Sequence, residues 1–183
     1  MINDEIKAVL AAPTIEDFNA RIYLLQNEEK VPLRFSRPNE HLAWGVFNEA
    51  NWLQAGGMGQ SPLFSMKFLS KTPDRLWFKL MATGYGDNLG HLGFSKNGYL
   101  GLYDYNSTTY PWKIELLDWA DGYTRCHLRD HRGIRVGVCS EHTEIEGHKM
   151  HYLSIQDTQP AEFVIHKVDV PGSVEGTSWL HVY

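Results

Sequence analysis

Residues 110–119, YPWKIELLDW, alternate apolar and polar side chains behind a proline. This alternation is typical of a strand that buries one face. Two similar segments occur elsewhere, PLFSMKFL from Pro62 and PAEFVIHKV from Pro160, and the prolines at positions 62, 111 and 160 are separated by 49 residues each time. The stretch is therefore predicted to be the middle copy of a threefold repeat.

Each copy places an aromatic residue and a branched or thioether residue two positions apart, which puts both on the same face of a strand. These predicted core pairs are Phe64 and Met66, Trp112 and Ile114, and Phe163 and Ile165. From Val31 onward, short β-rich segments are broken by Gly, Asn, Asp and Pro. We predict eleven strands, near VPLRFS, HLAWGVF, PLFSMKFL, RLWFKLMA, LGHLGFS, YLGLYDY, PWKIELL, YTRCHLR, IRVGV, HYLSIQ and EFVIHKV, with NWLQAG (51–56) as a twelfth candidate.

The N-terminal residues show helical spacing instead. A first stripe contains Ile2, Ile6, Val9 and Leu10, and a second helix is predicted to begin at the N-cap Thr14, with Asp17 three residues later as in a capping box. Its apolar stripe would be Ile15, Phe18, Ile22 and Leu25. The predicted organisation is a helical extension (1–30), a β domain (31–168) and a C-terminal tail packing on that domain (169–183).

Three units of four strands, each too small to bury its own apolar face, would have to close on one another. In this respect residues 31–168 resemble the β-trefoil superfamily, with a local sequence pattern similar to that of its fascin-like and ricin-B-like branches. The resemblance implies an all-β trefoil of three repeats of about 49 residues. The Gln-x-Trp signature of ricin-B-like lectins is absent, as is the Kunitz inhibitor signature, so no site residue carries over. A β-sandwich or another barrel is the alternative.

Composition restricts the functional classes. The formal charge of −5, the pI near 6.0 and the lack of a long Lys/Arg run argue against nucleic acid as a partner. The N-terminus lacks the features of a secretory signal, and no membrane-spanning segment is predicted, so we expect a protein that is cytoplasmic or released without a classical signal peptide. In a predicted hairpin, Cys126 and Cys139 would point to opposite faces, which predicts two free thiols in a reducing compartment. A β-bulge in the hairpin would invert this parity.

Catalytic and metal chemistry find little support. The spacings His127-x3-His131 and His148-x2-His151 would suit a metal on a helix, but here they fall on strands and turns. No nucleophile motif is present. We predict no cofactor and no enzyme activity, with a hydrolase using the His- and Glu-rich segment 141–151 as a minor alternative.

Aromatic residues accompanied by Asn and Asp are concentrated in the predicted loops. A sugar offers hydroxyls for hydrogen bonding and an apolar C–H face for a ring, so this pairing is typical of glycan sites. The predicted ligand-binding residues are Asn48, Asn51, Trp52, Tyr85, Asp87, Asn88, Tyr103, Asp104, Tyr105 and Asn106. The leading hypothesis is a non-enzymatic, lectin-like binding module for a glycan. The alternative is a protein-binding module, such as a protease inhibitor or the targeting subunit of a toxin or effector, that inserts loops 84–88 and 141–149 into a host protein.

Overall fold

The computed structural model describes residues 4–13, 15–38, 51–84, 90–103, 110–120, 123–156 and 158–168. Within these ranges the protein is all-β, with thirteen strands and one short helix. The elements are α1 Asp4–Ala11, β1 Phe18–Gln26, β2 Glu29–Phe35, β3 Leu53–Ala55, β4 Leu63–Thr72, β5 Arg75–Ala82, β6 His91–Phe94, β7 Leu100–Tyr103, β8 Trp112–Ala120, β9 Tyr123–Arg129, β10 Gly137–Ile145, β11 His148–Ser154, β12 Gln159–Pro160 and β13 Glu162–Val168.

Six strands close into an antiparallel barrel in the order β1, β4, β5, β8, β9 and β13, with β13 pairing back to β1. The three predicted core pairs point into this barrel, and each of their six side chains is at most 2% exposed, which confirms the prediction. Full burial of an apolar side chain stabilises the fold by about 1.5–3 kcal/mol. The barrel interior is therefore the main core.

The seven outer strands correct the predicted fold. Five of them join in one run, β12-β10-β11-β3-β2, which is attached to β1, whereas β6 and β7 are attached to β5. In the described part of the chain, thirteen strands in this unequal arrangement and one helix replace the predicted β-trefoil of three four-stranded repeats and two helices. The evenly spaced prolines mark the starts of three barrel strands, but they carry no information on how the strands between them pair.

The predicted second helix is wrong, because its residues form β1 of the barrel. Phe18 and Ile22 fit a helical stripe and also fit strand alternation, and Ala20 and Leu24, which only the strand explains, are buried as well. The Asp17 carboxylate does not cap a helix; it accepts a hydrogen bond from the backbone N–H of Phe68 (2.8 Å). Residues 18–30 therefore belong to the sheet and not to a helical extension. Thr14 lies outside the described residues.

The first predicted helix is present as α1, whose Ile6 and Val9 are buried in the same core as the barrel residues. Its C-terminal end is held by Lys71 of β4, whose Nζ donates to the carbonyl of Leu10 (2.7 Å) and to that of Ala12. These bonds satisfy carbonyl groups that a helix end leaves unpaired. With eight residues, α1 is too short to cross a bilayer, and the described residues contain no longer helix.

Other predictions are corrected in detail. The segment 141–149, predicted as a long loop, is a hairpin of β10 and β11 with a turn at Glu146 and Gly147, both in the left-handed region (φ 51° and 81°). The predicted twelfth strand, NWLQAG, is confirmed as β3. The predicted strand IRVGV begins later than expected, because β10 begins at Gly137 and not at Ile134. The predicted strand HLAWGVF (41–47) and the tail 169–183 lie outside the described residues.

Cys126 and Cys139 are both free, as predicted, and both are buried. The predicted reason was wrong, because β9 pairs with β8 and β13, whereas β10 pairs with β11 and β12. The two cysteines are separated by strand pairing and not by hairpin parity.

Candidate functional site

The structure describes three of the ten predicted ligand-binding residues, Asn51, Trp52 and Tyr103. It brings these three together beside Gly101. The Asn51 carbonyl accepts a hydrogen bond from the Leu102 N–H (2.9 Å), and Trp52 forms a β-bridge with Gly101. The other seven, Asn48, Tyr85, Asp87, Asn88, Asp104, Tyr105 and Asn106, lie outside the described residues.

Four rings form an aromatic cluster here: Trp52, Tyr99, Tyr103 and Tyr152. The centroid of Trp52 is 6.2 Å from that of Tyr99 and 6.2 Å from that of Tyr103, and Tyr99 is 5.8 Å from Tyr152, all in edge-on geometry. Edge-on contacts of this kind stabilise a fold beyond their buried area. The cluster therefore joins the ends of three outer strands, β3, β7 and β11.

Hydrogen bonds with Ser36 fix Trp52, and burial keeps Tyr99 uncharged. The Ser36 N–H donates to the Trp52 carbonyl (2.8 Å), and the Ser36 hydroxyl accepts from the Trp52 N–H (2.9 Å). Burial, followed by the nearby charge of Glu141, raises the pKa of Tyr99 above its ordinary value. The Tyr99 hydroxyl therefore stays protonated at neutral pH.

A second group of rings lies where the chain enters β8. Tyr110 stacks on His131 with centroids 3.9 Å apart and planes 12° apart, and the ring of Phe94 lies parallel to His131 at 5.9 Å. We call Phe94, Tyr110 and His131 the stacked platform. Tyr110 is 46% exposed, so one of its faces is covered by His131 while the ring still meets solvent.

The backbone holds the platform rigidly. Tyr110 precedes Pro111, which restricts its backbone to extended conformations. On the other side, the fully buried carboxylate of Asp130 accepts hydrogen bonds from the N–H groups of Arg132 (3.0 Å) and Ile134 (2.8 Å), an Asx-type turn. This turn presents His131 to Tyr110.

Arg132 extends the platform with hydrogen-bond donors. Its Nε donates to Asp130 (2.8 Å), and its guanidinium carbon lies 5.4 Å from the centroid of Phe94. Half of the Arg132 side chain is exposed. A guanidinium has five N–H donors, so donors remain for a ligand after Asp130 is satisfied.

A cavity of about 670 Å³ opens on the other side of the same turn. The cavity is broadly open to solvent, unlike a cleft that encloses most of a small molecule. Its lining combines two arginines with apolar and amide side chains: Arg129, Ile134, Arg135, Ile155, Thr158, Gln159 and Pro160.

Glu115 of β8 organises the charges beside this cavity. Arg129 donates to it through Nε (2.6 Å) and Nη2 (2.5 Å), and Arg135 donates through Nε (3.2 Å) and Nη2 (3.1 Å). Burial would raise the pKa of Glu115, but the hydrogen bonds from Arg135 and Arg129 outweigh it and hold that pKa below its ordinary value. The group is therefore charged at neutral pH, and the three residues together carry one net positive charge.

The histidine pairs predicted from spacing are separated. His127 bonds the carbonyl of Ala161 through Nδ1 (3.0 Å), whereas His131 belongs to the platform. His151 pairs with His142 across β10 and β11, with ring centroids 5.0 Å apart, rather than with His148. In the described part of the chain, no three His, Cys, Asp or Glu side chains are grouped as metal ligands.

Sequence reasoning missed Tyr99, Tyr152, the platform residues Phe94 and His131, and the cavity. The alternation in YLGLY (99–103) predicts that Tyr99 lies on the same strand face as Gly101 and Tyr103, so Tyr99 could have been added to the predicted site. The contact between Tyr110 and His131 joins residues 21 positions apart and has no such signal.

Comparisons of the chain with protein-family models, with curated proteins and with solved structures found no match. A function for this chain therefore rests on its own side chains.

Proposed function

We propose that this protein is a non-enzymatic, lectin-like module that binds carbohydrate, with Tyr110 as the ring against which the sugar packs. The observation that carries the proposal is the half-exposed Tyr110 ring, stacked at 3.9 Å on His131. A sugar places an apolar C–H face against such a ring and its hydroxyls against nearby donors. Arg132 supplies donors at this place.

The platform is also preorganised, which favours binding over plain surface packing. Pro111, the Asx-type turn at Asp130 and the His131 ring hold Tyr110 before any ligand arrives. Binding then costs little additional side-chain entropy. The six-residue connection 104–109, which contains the predicted residues Asp104, Tyr105 and Asn106, joins Tyr103 of the aromatic cluster to Tyr110.

The experiment is a glycan array with the purified protein, followed by calorimetry on the glycans that bind. Tyr110→Ala is expected to weaken binding at least about tenfold, since it removes both the stacking and the apolar area of the ring. The matched control is Tyr123→Ala, because Tyr123 is also half-exposed (42%) and also stacks on a histidine, His166, at 5.7 Å.

We expect Tyr123→Ala to bind like the unmodified protein. Unfolding curves of both variants verify that neither has lost its fold. The proposal is wrong if no glycan binds, or if the two variants lose affinity to the same extent.

A further inference from the structure

The outer wall of the barrel carries a basic face on an acidic protein. Lys67 of β4 lies directly opposite Lys79 of β5, and Lys113 of β8 lies between Trp77 of β5 and Arg129 of β9. Strand alternation points all of these outward, because the intervening residues are buried. We define the basic face as Lys67, Arg75, Lys79, Lys113, Arg129 and Arg135.

Its positive charge is only partly neutralised. Glu115 lies inside the face between two arginines, and Asp74 lies at its edge, 3.5 Å from Arg75. Lys67, Lys79 and Lys113 form no salt bridge within the described ranges. The face is thus positive, while the whole chain has a formal charge of −5.

This arrangement of positive charges lowers the stability of the sheet. Like charges directly opposite each other on neighbouring strands, as in Lys67 and Lys79, destabilise a sheet. Lys113 is held at the surface with its ammonium group 4.5 Å from the centroid of the Trp77 ring. Natural proteins break one or two such local rules at functional sites and compensate for the loss of stability elsewhere.

We infer that this face binds the acidic groups of an oligosaccharide that carries carboxylates or sulfates. The inference rests on the proposed carbohydrate-binding function, and it names the class of glycan. Continuity with the platform supports it, because the single stretch 129–135 contains His131 of the platform and Arg129 and Arg135 of the basic face. Arg129 also donates to the Gly133 carbonyl (2.7 Å), which fixes the turn between the two sites.

A sugar suits this face better than nucleic acid does. Single strands bind where successive bases can stack on exposed rings. Within the basic face the Trp77 ring is covered by the Lys113 ammonium, and the exposed Tyr110 ring lies outside the face, on the platform. The guanidinium groups of Arg129 and Arg135 already donate hydrogen bonds to Glu115. They therefore contribute positive charge but do not form bidentate hydrogen bonds to a phosphate. The acidic groups of the ligand would meet the lysines, whose ammonium groups form no ion pair with a carboxylate of the described residues.

The test uses a sulfated oligosaccharide and its desulfated counterpart in calorimetry, between about 50 and 200 mM salt. Lys79→Gln with Lys113→Gln is expected to weaken the sulfated ligand about tenfold and to flatten its salt dependence. The control double variant is Lys7→Gln with Lys149→Gln, which removes the same charge from α1 and β11. It is expected to bind within about twofold of the unmodified protein, because neither lysine belongs to the basic face and exposed charges outside it are screened by salt.

The outcomes separate this inference from the proposed function. If glycans bind through Tyr110 but the sulfated ligand binds no tighter than its desulfated counterpart, the binding role inferred for the basic face is wrong and the proposed function stands. If the affinity for the sulfated ligand depends on the lysines while Tyr110→Ala leaves it unchanged, the binding role proposed for the platform is wrong and that of the basic face stands. Equal losses in both double variants contradict the basic face. A single-stranded RNA of similar charge that binds more tightly, and loses affinity in Lys79→Gln with Lys113→Gln, contradicts the choice of a sugar.

Discussion

Trp112 is the residue through which the barrel supports the stacked platform. Its side chain is 2% exposed inside the barrel, and its indole N–H donates to the carbonyl of Leu92 in β6 (2.9 Å). Its ring also meets Phe94 of the platform edge-on at 6.2 Å. We predict that Trp112→Phe lowers the free energy of unfolding and also weakens the glycan binding proposed for the platform.

The magnitude follows from two losses. A buried carbonyl left without its donor costs about 1–3 kcal/mol, and the smaller ring leaves unfilled volume that costs roughly 1–2 kcal/mol. A total of about 3 kcal/mol lowers the melting temperature by roughly 6–12 °C in a chain of this size. Binding would weaken because Phe94 would lose part of its support.

The matched control is Trp77→Phe. Trp77 lies on the outer wall, and its buried indole N–H has no hydrogen-bond partner among the described residues. Phenylalanine therefore removes an unsatisfied donor and breaks no bond seen there. We expect a change within about 1 kcal/mol. Thermal and urea unfolding followed by circular dichroism measure both variants. Equal destabilisation of the two, or an unchanged Trp112→Phe, would refute the role assigned to the hydrogen bond to Leu92.

Two further predictions use the pKa directions. Because the folded-state pKa of Glu115 is lowered, its contribution to stability is fully present above the unfolded pKa of about 4.3 and is lost as the pH falls through the folded value. The difference in unfolding free energy between the protein and Glu115→Gln should therefore shrink on acidification; a constant or growing difference contradicts this. Burial, then the charge of Glu141, raises the pKa of Cys139 to about 11, and burial also raises that of Cys126. Both thiols should resist iodoacetamide at about pH 8 in the folded protein and react in urea, as mass spectrometry would show; rapid labelling of the folded protein would contradict their burial.

The local pattern of the chain predicts strands better than it predicts their partners. The alternation around Trp112 and Ile114 reports burial on one face, and both residues are in the core. The segment containing Phe18 and Ile22 satisfies two periodicities, so its class is decided by pairing with β13, β2 and β4, which the local pattern does not contain. Strand existence is thus local information, whereas the arrangement of the outer strands is not.

The candidate sites show the same division. Trp52 and Tyr103 were predicted from composition, and their contact requires β3 to meet β7. The basic face was invisible along the chain, because its members are scattered between residues 67 and 135. Strand pairing in the barrel brings Lys67, Lys79 and Lys113 onto neighbouring strands. The absence of a linear run of lysines and arginines therefore does not exclude a basic surface in a β protein.

The turn after β9 explains how one short stretch can serve two sites. The Asp130 carboxylate is wholly buried and is used within the turn, by the N–H groups of Arg132 and Ile134 and by the Arg132 guanidinium. Since the buried charge is compensated locally, the turn is rigid without help from a ligand. His131 then faces Tyr110 on one side, while Arg129 and Arg135 flank Glu115 on the other. Loss of Asp130 would disturb both sites at once, which makes the turn the physical link between the stacked platform and the basic face.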